Sequence, residues 1–411
     1  MTRQLIFCGI ALMICACNGI QRLYTVFPEA REQIAAKPGS ADVIRIYFDR
    51  VGYIYPAVPG VPLTDQGLRY CDSRLARYYS TYPDQYEKIC AFYHAAADPV
   101  SDTSNTYEIS LQTALVKEYT DQINRQVKNR TLVFLIHGFN SNPLSPDGKG
   151  AYDEFKRTRD LITGHFKGRA FLFVEIYWDG LDDTNGFQNT VYSHLNDLKI
   201  WPHAQASATY TGLELRRILS GLSSPHIDVL THSHGAGVIT TALFDSHKFD
   251  KRKGYYESLY NNPDSWLSDI KAEYNHPEYN SPTQDFTIGM LAPAIPGWAV
   301  FHEYGNRTIG GTETPSKMRN FHFIVGFNEN DPVTSKFKLL AKGYGSTTLA
   351  CSRRELRLTE KLFDNDPAVL TAVDFSVYQG RVKHRKQNDH SWFTYLAHSP
   401  EIGHFLDLTI K

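Results

Sequence analysis

Thirteen residues near the middle of the chain read Ile227-Asp-Val-Leu-Thr-His-Ser-His-Gly-Ala-Gly-Val-Ile239. An apolar, β-branched run ends at Thr231, and small and apolar residues resume at helical spacing from Gly235, which predicts a strand, a sharp turn and a helix. A serine on such a turn is held over the end of a sheet in a strained backbone, and the N–H groups of the following helix point at it. Ser233 is therefore the candidate nucleophile. A turn without chemistry is the alternative that these residues alone leave open.

Length and composition indicate a globular chain without a bias toward nucleic acid. The 411 residues are 42% hydrophobic and 13% aromatic, which is sufficient for one large core or two moderate ones. The 43 lysines and arginines nearly balance the 44 aspartates and glutamates, so the formal net charge is −1, and no extended basic run occurs. Nucleic acid is therefore not an expected partner.

The N-terminus has the pattern of an export signal. Arg3 precedes an apolar run over residues 5–16 that is too short to cross a bilayer comfortably and ends in small residues. Ile14-Cys-Ala-Cys17 resembles the lipobox of bacterial lipoproteins, which implies a signal peptide over residues 1–16, a lipid on Cys17 and a tether over residues 17–41. Asn18 lacks the acidic side chain associated with inner-membrane retention in that family, so the outer membrane is the expected location. An ordinary signal peptide with chance cysteines is the alternative.

The remaining cysteines are Cys71, Cys90 and Cys351. They form no Cys-x-x-Cys pair and have no metal-ligand spacing, so no metal site is predicted. An oxidising compartment permits one disulfide bond. Cys71 and Cys90 are the predicted pair because they lie in an irregular segment that a disulfide would stabilise. Cys351 follows a predicted buried strand at 346–350 and is expected to remain a small apolar thiol.

Strand and helix patterns alternate along the chain. The predicted strands cover residues 42–48, 131–136, 227–230 and 372–378; further buried strands are predicted within residues 169–180, from Phe286 toward a Pro-bounded loop that ends at Gly297, and from Phe321 toward Asp331. The predicted helices cover residues 111–127, 151–166 and 204–222, with a short helix near 72–79 inside an irregular excursion from 53 to 105. This alternation predicts an α/β fold with right-handed crossovers and a ligand site at the carboxyl ends of the strands.

The motif His137-Gly-Phe-Asn140 follows the strand at 131–136. Together with the turn at Ser233, it resembles the α/β-hydrolase superfamily, in which a His-Gly-x loop after the third strand supplies one oxyanion-hole N–H. The resemblance covers residues 130–411 and implies a mostly parallel, doubly wound sheet of the α/β-hydrolase type. Residues 42–129 would be an N-terminal extension packed on this core. Residues from about 249 to 284 would form a helical or irregular insertion. By the same resemblance, the backbone amides of Phe139 and His234 are the oxyanion donors, while His137 is expected to brace the loop.

Two later motifs complete the resemblance. The strand at 321–327 leads to Asp331-Pro-Val, where the family has its catalytic acid; Glu329 is the fallback, and an Asp that merely starts a turn is the alternative. A basic loop after the last predicted strand leads to His390, where the family has its histidine, and His384 is the competitor. The order Ser233, Asp331, His390 is that of α/β-hydrolases. The sequence departs from the family at Thr231, where glycine is usual.

The resemblance implies a serine hydrolase that cleaves small-molecule or lipid carboxylic esters through an acyl-enzyme. His390 would take the proton of Ser233, and two backbone amides would bind the oxyanion. No cofactor is expected, and membrane contact would come through the lipid anchor. Two alternatives remain: an acyltransferase that uses the same triad, and a non-catalytic envelope-binding lipoprotein that keeps the fold.

Overall fold

The computed structural model describes residues 42–49, 51–59, 61, 75–100, 110–139, 141, 144, 150–180, 191–244, 284–300, 320–335, 347–376, 390–397 and 400–411. The predicted signal peptide, the tether, Cys17, Cys71, His384 and residues 249–283 of the predicted insertion lie outside these ranges.

Seven strands form one sheet. They are β1 (Val43–Tyr47), β2 (Thr131–Ile136), β3 (Phe171–Tyr177), β4 (His226–His232), β5 (Asp285–Leu291), β6 (Phe321–Phe327) and β7 (Leu370–Asp374). Their order across the sheet is β1-β3-β2-β4-β5-β6-β7, and each neighbouring pair is parallel. All residues of β3 are buried, as expected for a parallel strand covered on both faces. The predicted α/β class and its parallel sheet are therefore confirmed.

The described helices are α1 (Leu75–Thr81), α2 (Pro83–Phe92), α3 (Ser110–Gln126), α4 (Ala151–His165), α5 (Val191–Ser220), α6 (Gly235–Phe244), α7 (Arg353–Leu362), α8 (Trp392–Ala397) and α9 (Glu401–Thr409). The bounds of α3 and α4 agree with the prediction to within one residue at each end. Helix α5 begins earlier than predicted. Within the described residues, no helix combines the length and the apolar composition needed to cross a bilayer.

Three predictions about local structure are wrong. The excursion from 53 to 105 contains the expected short helix, shifted to α1, and a second helix, α2, that was not predicted, in which Pro83 suits the first turn and Tyr86 and Ile89 bury the inner face. The described part of the strand predicted at 346–350 is not a strand; residues 347–350 form turns, in which Leu349 N donates to Ile295 O and Ala350 O accepts from Asn328 N. The last strand ends at Asp374 and not at 378.

The segment before the predicted core contributes to the same core. Strand β1 pairs with β3 along its whole length, and Arg45 Nε lies 2.9 Å from Glu175 Oε2 on β3. Leu111 and Ile123 of α3 belong to the same hydrophobic cluster as the sheet. The expectation that residues 43–48 add an early strand is therefore confirmed.

The predicted disulfide is only half within the described residues. Cys90 is a buried thiol on α2, and burial raises its pKa. Its predicted partner, Cys71, lies outside the described ranges, so the pairing stays a prediction. Cys351 is buried, and its Sγ lies 3.8 Å from Thr348 O, which agrees with the predicted small, buried residue.

The order of strands creates a change of direction between β2 and β4. The chain passes from β2 to β3 on one side, then crosses to β4 and continues through β5, β6 and β7 on the other side. Where neighbouring parallel strands lead away in opposite directions, their loops diverge and leave a crevice at the carboxyl ends. The loops concerned begin at His137 and Ser233, so the topology alone brings the two predicted motifs to one place.

Candidate active site

Ser233 lies on the turn between β4 and α6 and has a φ of +51°. This left-handed conformation is unfavourable for a residue with a Cβ, so the surroundings must hold it. Ser233 N donates to Leu291 O at 3.0 Å, and Ser233 O accepts from Ala294 N at 3.0 Å. Both partners belong to the chain at the end of β5. The predicted strand, sharp turn and helix are therefore all present, and two tertiary hydrogen bonds fix the turn.

Two glycines let the loop after β2 touch this turn. A Cβ added at Gly138 would lie 2.9 Å from Ser233 Cβ, and one added at Gly235 would lie 2.5 Å from His137 O. Both distances are shorter than real side-chain contacts, so glycine is required for the two loops to approach. Phe139 and His234 are the next residues on the two loops. Their amides therefore lie near Ser233, and their role as oxyanion donors stays a prediction.

His137 is fully buried and bound through both ring nitrogens. Its Nδ1–H donates to Gly138 O at 2.9 Å, and its Nε2 accepts from Trp178 N at 3.1 Å. Trp178 Nε1 donates in turn to His137 O at 2.8 Å. Burial lowers the pKa of His137 to about 4, so the ring is neutral near pH 7. This geometry agrees with the expected bracing role, because no ring nitrogen remains for proton transfer.

Asp331 and His390 are brought together as predicted. His390 Nδ1 lies 2.7 Å from Asp331 Oδ2, while Asp331 Oδ1 accepts from Val333 N at 3.0 Å and Thr334 N at 2.8 Å. Burial of Asp331 opposes its ionisation, but the charge and hydrogen bond of His390 and the other donors hold the pKa of Asp331 well below its usual value. The fallback acid, Glu329, is paired instead with Arg353 at 2.9 Å.

The pairing determines how the His390 ring is oriented. An ionised carboxylate can only accept hydrogen bonds, so Nδ1 carries the hydrogen and Nε2 of the neutral ring carries a lone pair. His390 Nε2 is buried and has no hydrogen-bond partner in the described part of the chain. Buried polar atoms of native proteins nearly always have a partner. The arrangement therefore fixes the orientation of the ring and leaves one nitrogen that makes no hydrogen bond to the described residues.

His232 joins the serine turn to the histidine loop, and the sequence did not predict this role. Its Nε2–H donates to His390 O at 2.8 Å, and the two rings lie 4.7 Å apart between centroids. Burial, followed by the charge of His390, holds the pKa of His232 well below its usual value. The only signal in the sequence was its position directly before Ser233.

Tyr395 on α8 was also missed. Its hydroxyl donates to Asp331 Oδ2 at 2.7 Å, which is the oxygen that His390 also binds.

Trp201 of α5 packs against the two residues predicted as oxyanion donors. Its ring lies edge-on to Phe139, with centroids 5.1 Å apart, and is tilted against His234, with centroids 4.6 Å apart. The residues predicted as oxyanion donors are thus bordered by an aromatic ring.

No cluster of three or more His, Cys, Asp or Glu side chains in the described ranges has the geometry of a metal site.

Comparisons with protein-family models, with curated proteins and with solved structures found no match to this chain. The described residues form an α/β protein with a seven-stranded parallel sheet, at whose carboxyl end a strained serine directly follows His232, the residue that donates to the backbone of the histidine–aspartate pair.

Proposed function

We propose that the chain is a serine hydrolase of the α/β-hydrolase type that cleaves carboxylic esters through an acyl-enzyme. One observation carries the proposal. Ser233 is held at a φ of +51° directly after His232, which donates to the backbone of His390 at 2.8 Å; the Nδ1 of His390 is fixed by a buried, ionised aspartate, and its Nε2 is buried without a partner among the described residues. Backbone strain and an unused buried nitrogen each cost stability, and both occur characteristically at functional sites.

The reaction begins when Ser233 Oγ attacks the ester carbonyl and His390 Nε2 takes its proton. Asp331 stabilises the imidazolium, and the amides of Phe139 and His234 bind the tetrahedral oxyanion. The imidazolium then donates its proton to the leaving alcohol, and the acyl-enzyme remains on Ser233. Water attacks this acyl group with His390 again as the base, which releases the acid and restores the serine.

The charges around His390 support its role as the base. Two buried histidines of the described residues, His232, which contacts His390, and His137, both have pKa values below the usual one, chiefly because of burial. Two neutral neighbours do not oppose the positive charge that His390 must carry during the reaction. Asp331 supplies the compensating negative charge at 2.7 Å.

The order of the elements supports the hydrolase type of fold. The His-Gly loop follows β2, the serine follows β4, the acid follows β6 and the histidine comes after β7. The change of direction between β2 and β4 brings the first two of these together. Edge strand β1 runs parallel to its neighbour and adds to the sheet on the side away from the acid.

Replacing Ser233 by alanine tests the proposal. We expect a fluorophosphonate probe to label the wild-type protein, and p-nitrophenyl esters of graded acyl length to be hydrolysed. Ser233→Ala should abolish both activities, because the nucleophile is lost, without loss of the fold as judged by circular dichroism.

Ser207→Ala is the matched control, because Ser207 is also a buried serine and its hydroxyl bonds to none of the described residues. This variant should keep both labelling and turnover. Undiminished turnover in Ser233→Ala would eliminate the proposal. Mass analysis of products formed in the presence of an added alcohol separates hydrolysis from acyl transfer.

We further propose that the protein is an exported lipoprotein anchored through Cys17, on the basis of Ile14-Cys-Ala-Cys17 alone. Intact mass measurement of the membrane fraction should give a chain that begins at Cys17 and carries at least two acyl chains, since one chain anchors only marginally. Cys17→Ala should abolish the acylation. An unmodified N-terminus on the wild-type protein would contradict this expectation.

A further inference from the structure

The hydroxyl of Tyr395 is buried between two polar groups at the end of β6. It lies 2.7 Å from Asp331 Oδ2 and 3.0 Å from Asn328 Nδ2. Tyr395 is 1% exposed and Asn328 and Asp331 are both 0% exposed, so water does not compete for these bonds. The three side chains form a buried chain of hydrogen bonds that ends at His390.

The direction of these hydrogen bonds is determined. Asn328 Oδ1 accepts from Asn330 N at 3.0 Å, so the atom that faces Tyr395 is the amide nitrogen. An amide N–H can only donate, so the hydroxyl oxygen of Tyr395 accepts from Asn328. Its single hydrogen therefore points to Asp331, which as a carboxylate can only accept.

Tyr395 and His390 share one oxygen of the carboxylate. Both donate to Asp331 Oδ2, while the backbone N–H groups of Val333 and Thr334 donate to Oδ1. A donor on an anionic oxygen stabilises the charge there and weakens the attraction of that charge for a second partner. Tyr395 therefore acts on the interaction that stabilises the protonated form of His390.

We infer that Tyr395 is a positioning residue whose hydroxyl, oriented by Asn328, fixes Asp331 and limits the negative charge that Asp331 presents to His390. Loss of the hydroxyl would therefore strengthen the attraction between Asp331 and the protonated ring of His390. This inference rests on the proposed function, because it takes His390 as the base.

The other groups that face His390 do not supply this adjustment. His232 of β4 packs on the ring, and His137 lies beyond it; burial disfavours the charged form of both. Glu329, two residues before Asp331, is paired with Arg353. Among the described residues, Asp331 is thus the charged partner of His390. Tyr395 is the side chain that changes the attraction of Asp331 for His390.

The test is the pH dependence of kcat/KM for Tyr395→Phe. The acid limb of this profile reports the pKa of the free enzyme's base. Loss of the hydroxyl should move that limb to higher pH by roughly 0.5 to 1 unit. Labelling by the fluorophosphonate should slow at pH 6 and change little at pH 8. A purely structural role would lower the plateau or the melting temperature and leave the limb in place.

Two further variants make the test robust. Tyr395→Phe leaves Asn328 Nδ2 without its acceptor, so Tyr395→Phe combined with Asn328→Leu should recover stability and keep the same pH shift. Asn328→Leu alone retains the donor to Asp331 and should give a smaller shift. The matched control is Tyr177→Phe, which removes another buried tyrosine-to-carboxylate bond, 2.9 Å to Glu175, and should not move the limb.

The failures of the two proposals are distinguishable. An inactive, unlabelled wild-type protein would remove the proposed function and this inference with it. An active wild type whose Tyr395→Phe variant keeps the same acid limb would overturn the inference alone. The titration of His390, followed by NMR in a Ser233→Ala background and assigned by loss of the signal in His390→Gln, must show the same upward shift; an unchanged titration would also overturn it.

Discussion

Two histidine–aspartate pairs with the same 2.7 Å separation lie at opposite ends of the sheet. His390 and Asp331 lie at the carboxyl ends of the strands, and His226 and Asp228 lie at the amino end of β4. In the first pair, Nδ1 binds the aspartate, and Nε2 is buried and bonds to none of the residues that the structure describes. In the second pair, Nε2 itself binds the aspartate and also lies 3.4 Å from Thr287 Oγ1.

The electrostatics of the two aspartates also differ. Burial raises the pKa of Asp228 above its usual value, whereas the pKa of Asp331 lies below it despite burial, because His390 and further donors favour the anion. Asp228 is also tied to the backbone N of Lys411 at 3.1 Å. The difference teaches that a short His–Asp distance does not identify a catalytic pair. The ring nitrogen that is bound, the nitrogen that remains and a strained serine nearby carry that information.

The strongest test of this comparison removes each pair in turn. We expect Asp331→Asn and His390→Ala to lower kcat on p-nitrophenyl esters by roughly 10³- to 10⁴-fold, because the base loses its orientation or is absent. His226→Ala and Asp228→Asn should change kcat by no more than a few-fold. Adding His390→Ala to Ser233→Ala should cost almost nothing further, since triad members act as a unit. Equal losses in both pairs would show that the comparison is wrong.

A smaller effect is expected for the link between the serine turn and the histidine loop. His232→Phe keeps an aromatic ring against His390 and removes the donor to His390 O. The loss of one hydrogen bond that positions the base should lower kcat/KM about ten-fold. The control is His322→Phe on β6, which removes a histidine 3.3 Å from Thr371 Oγ1 and should leave kcat/KM unchanged. If both variants lose activity equally, His232 has no special part in positioning His390.

The smallest expected effect concerns stability and pH, and it has opposite signs for the two aspartates. A depressed pKa means that Asp331 stabilises the folded state above its unfolded pKa of about 3.9, and that this contribution is lost as the pH falls below that value. A raised pKa means that the contribution of Asp228 is present below about pH 3.9 and is lost as the pH rises through its folded pKa.

Thermal melting between pH 3 and 6 measures this difference. Asp331→Asn should make the melting temperature fall less on acidification than it does in the wild-type protein, and Asp228→Asn should make it fall more. Each unit of pKa displacement corresponds to about 1.4 kcal/mol. Slopes that change in the same direction for both variants would contradict the assigned electrostatics.

Much of the fold was predictable because it depends on local patterns. The buried strands are contiguous apolar runs, and the turn at Ser233 is marked by small residues on both sides. The pairing of Asp331 with His390 was expected only from the resemblance of the motif order to the α/β-hydrolase superfamily. The N-terminal start of α5 was missed because polar residues interrupt its apolar stripe. Helix α7 was missed although Ser352 and Glu355 have the spacing of a capping box, and Ser352 Oγ does accept from Glu355 N.

The sequence did not predict the roles of some residues, because those roles depend on contacts between segments that lie far apart in the chain. Tyr395 reaches Asp331 only because α8 packs near the ends of β4 and β6, and His232 reaches His390 across 158 positions of the chain. The end of β7 was set by side-chain contacts that no periodicity reveals. Asp374 Oδ1 accepts from Ser376 N, and Asp374 Oδ2 lies 3.0 Å from Arg353 Nη2.

The two backbone bonds that hold Ser233 in its left-handed conformation have a consequence for the time at which the site forms. Their partners, Leu291 and Ala294, are synthesised after Ser233, and Asp331 and His390 follow later still. Before these residues have left the ribosome, the two hydrogen bonds to Leu291 and Ala294 cannot form, so the strained turn lacks that stabilisation. A growing chain thus carries a serine hydroxyl but no assembled nucleophile. The proposed activity begins only after residue 390 has been translated and has packed against the sheet, so the nascent protein is inactive toward the esters of the cell that makes it.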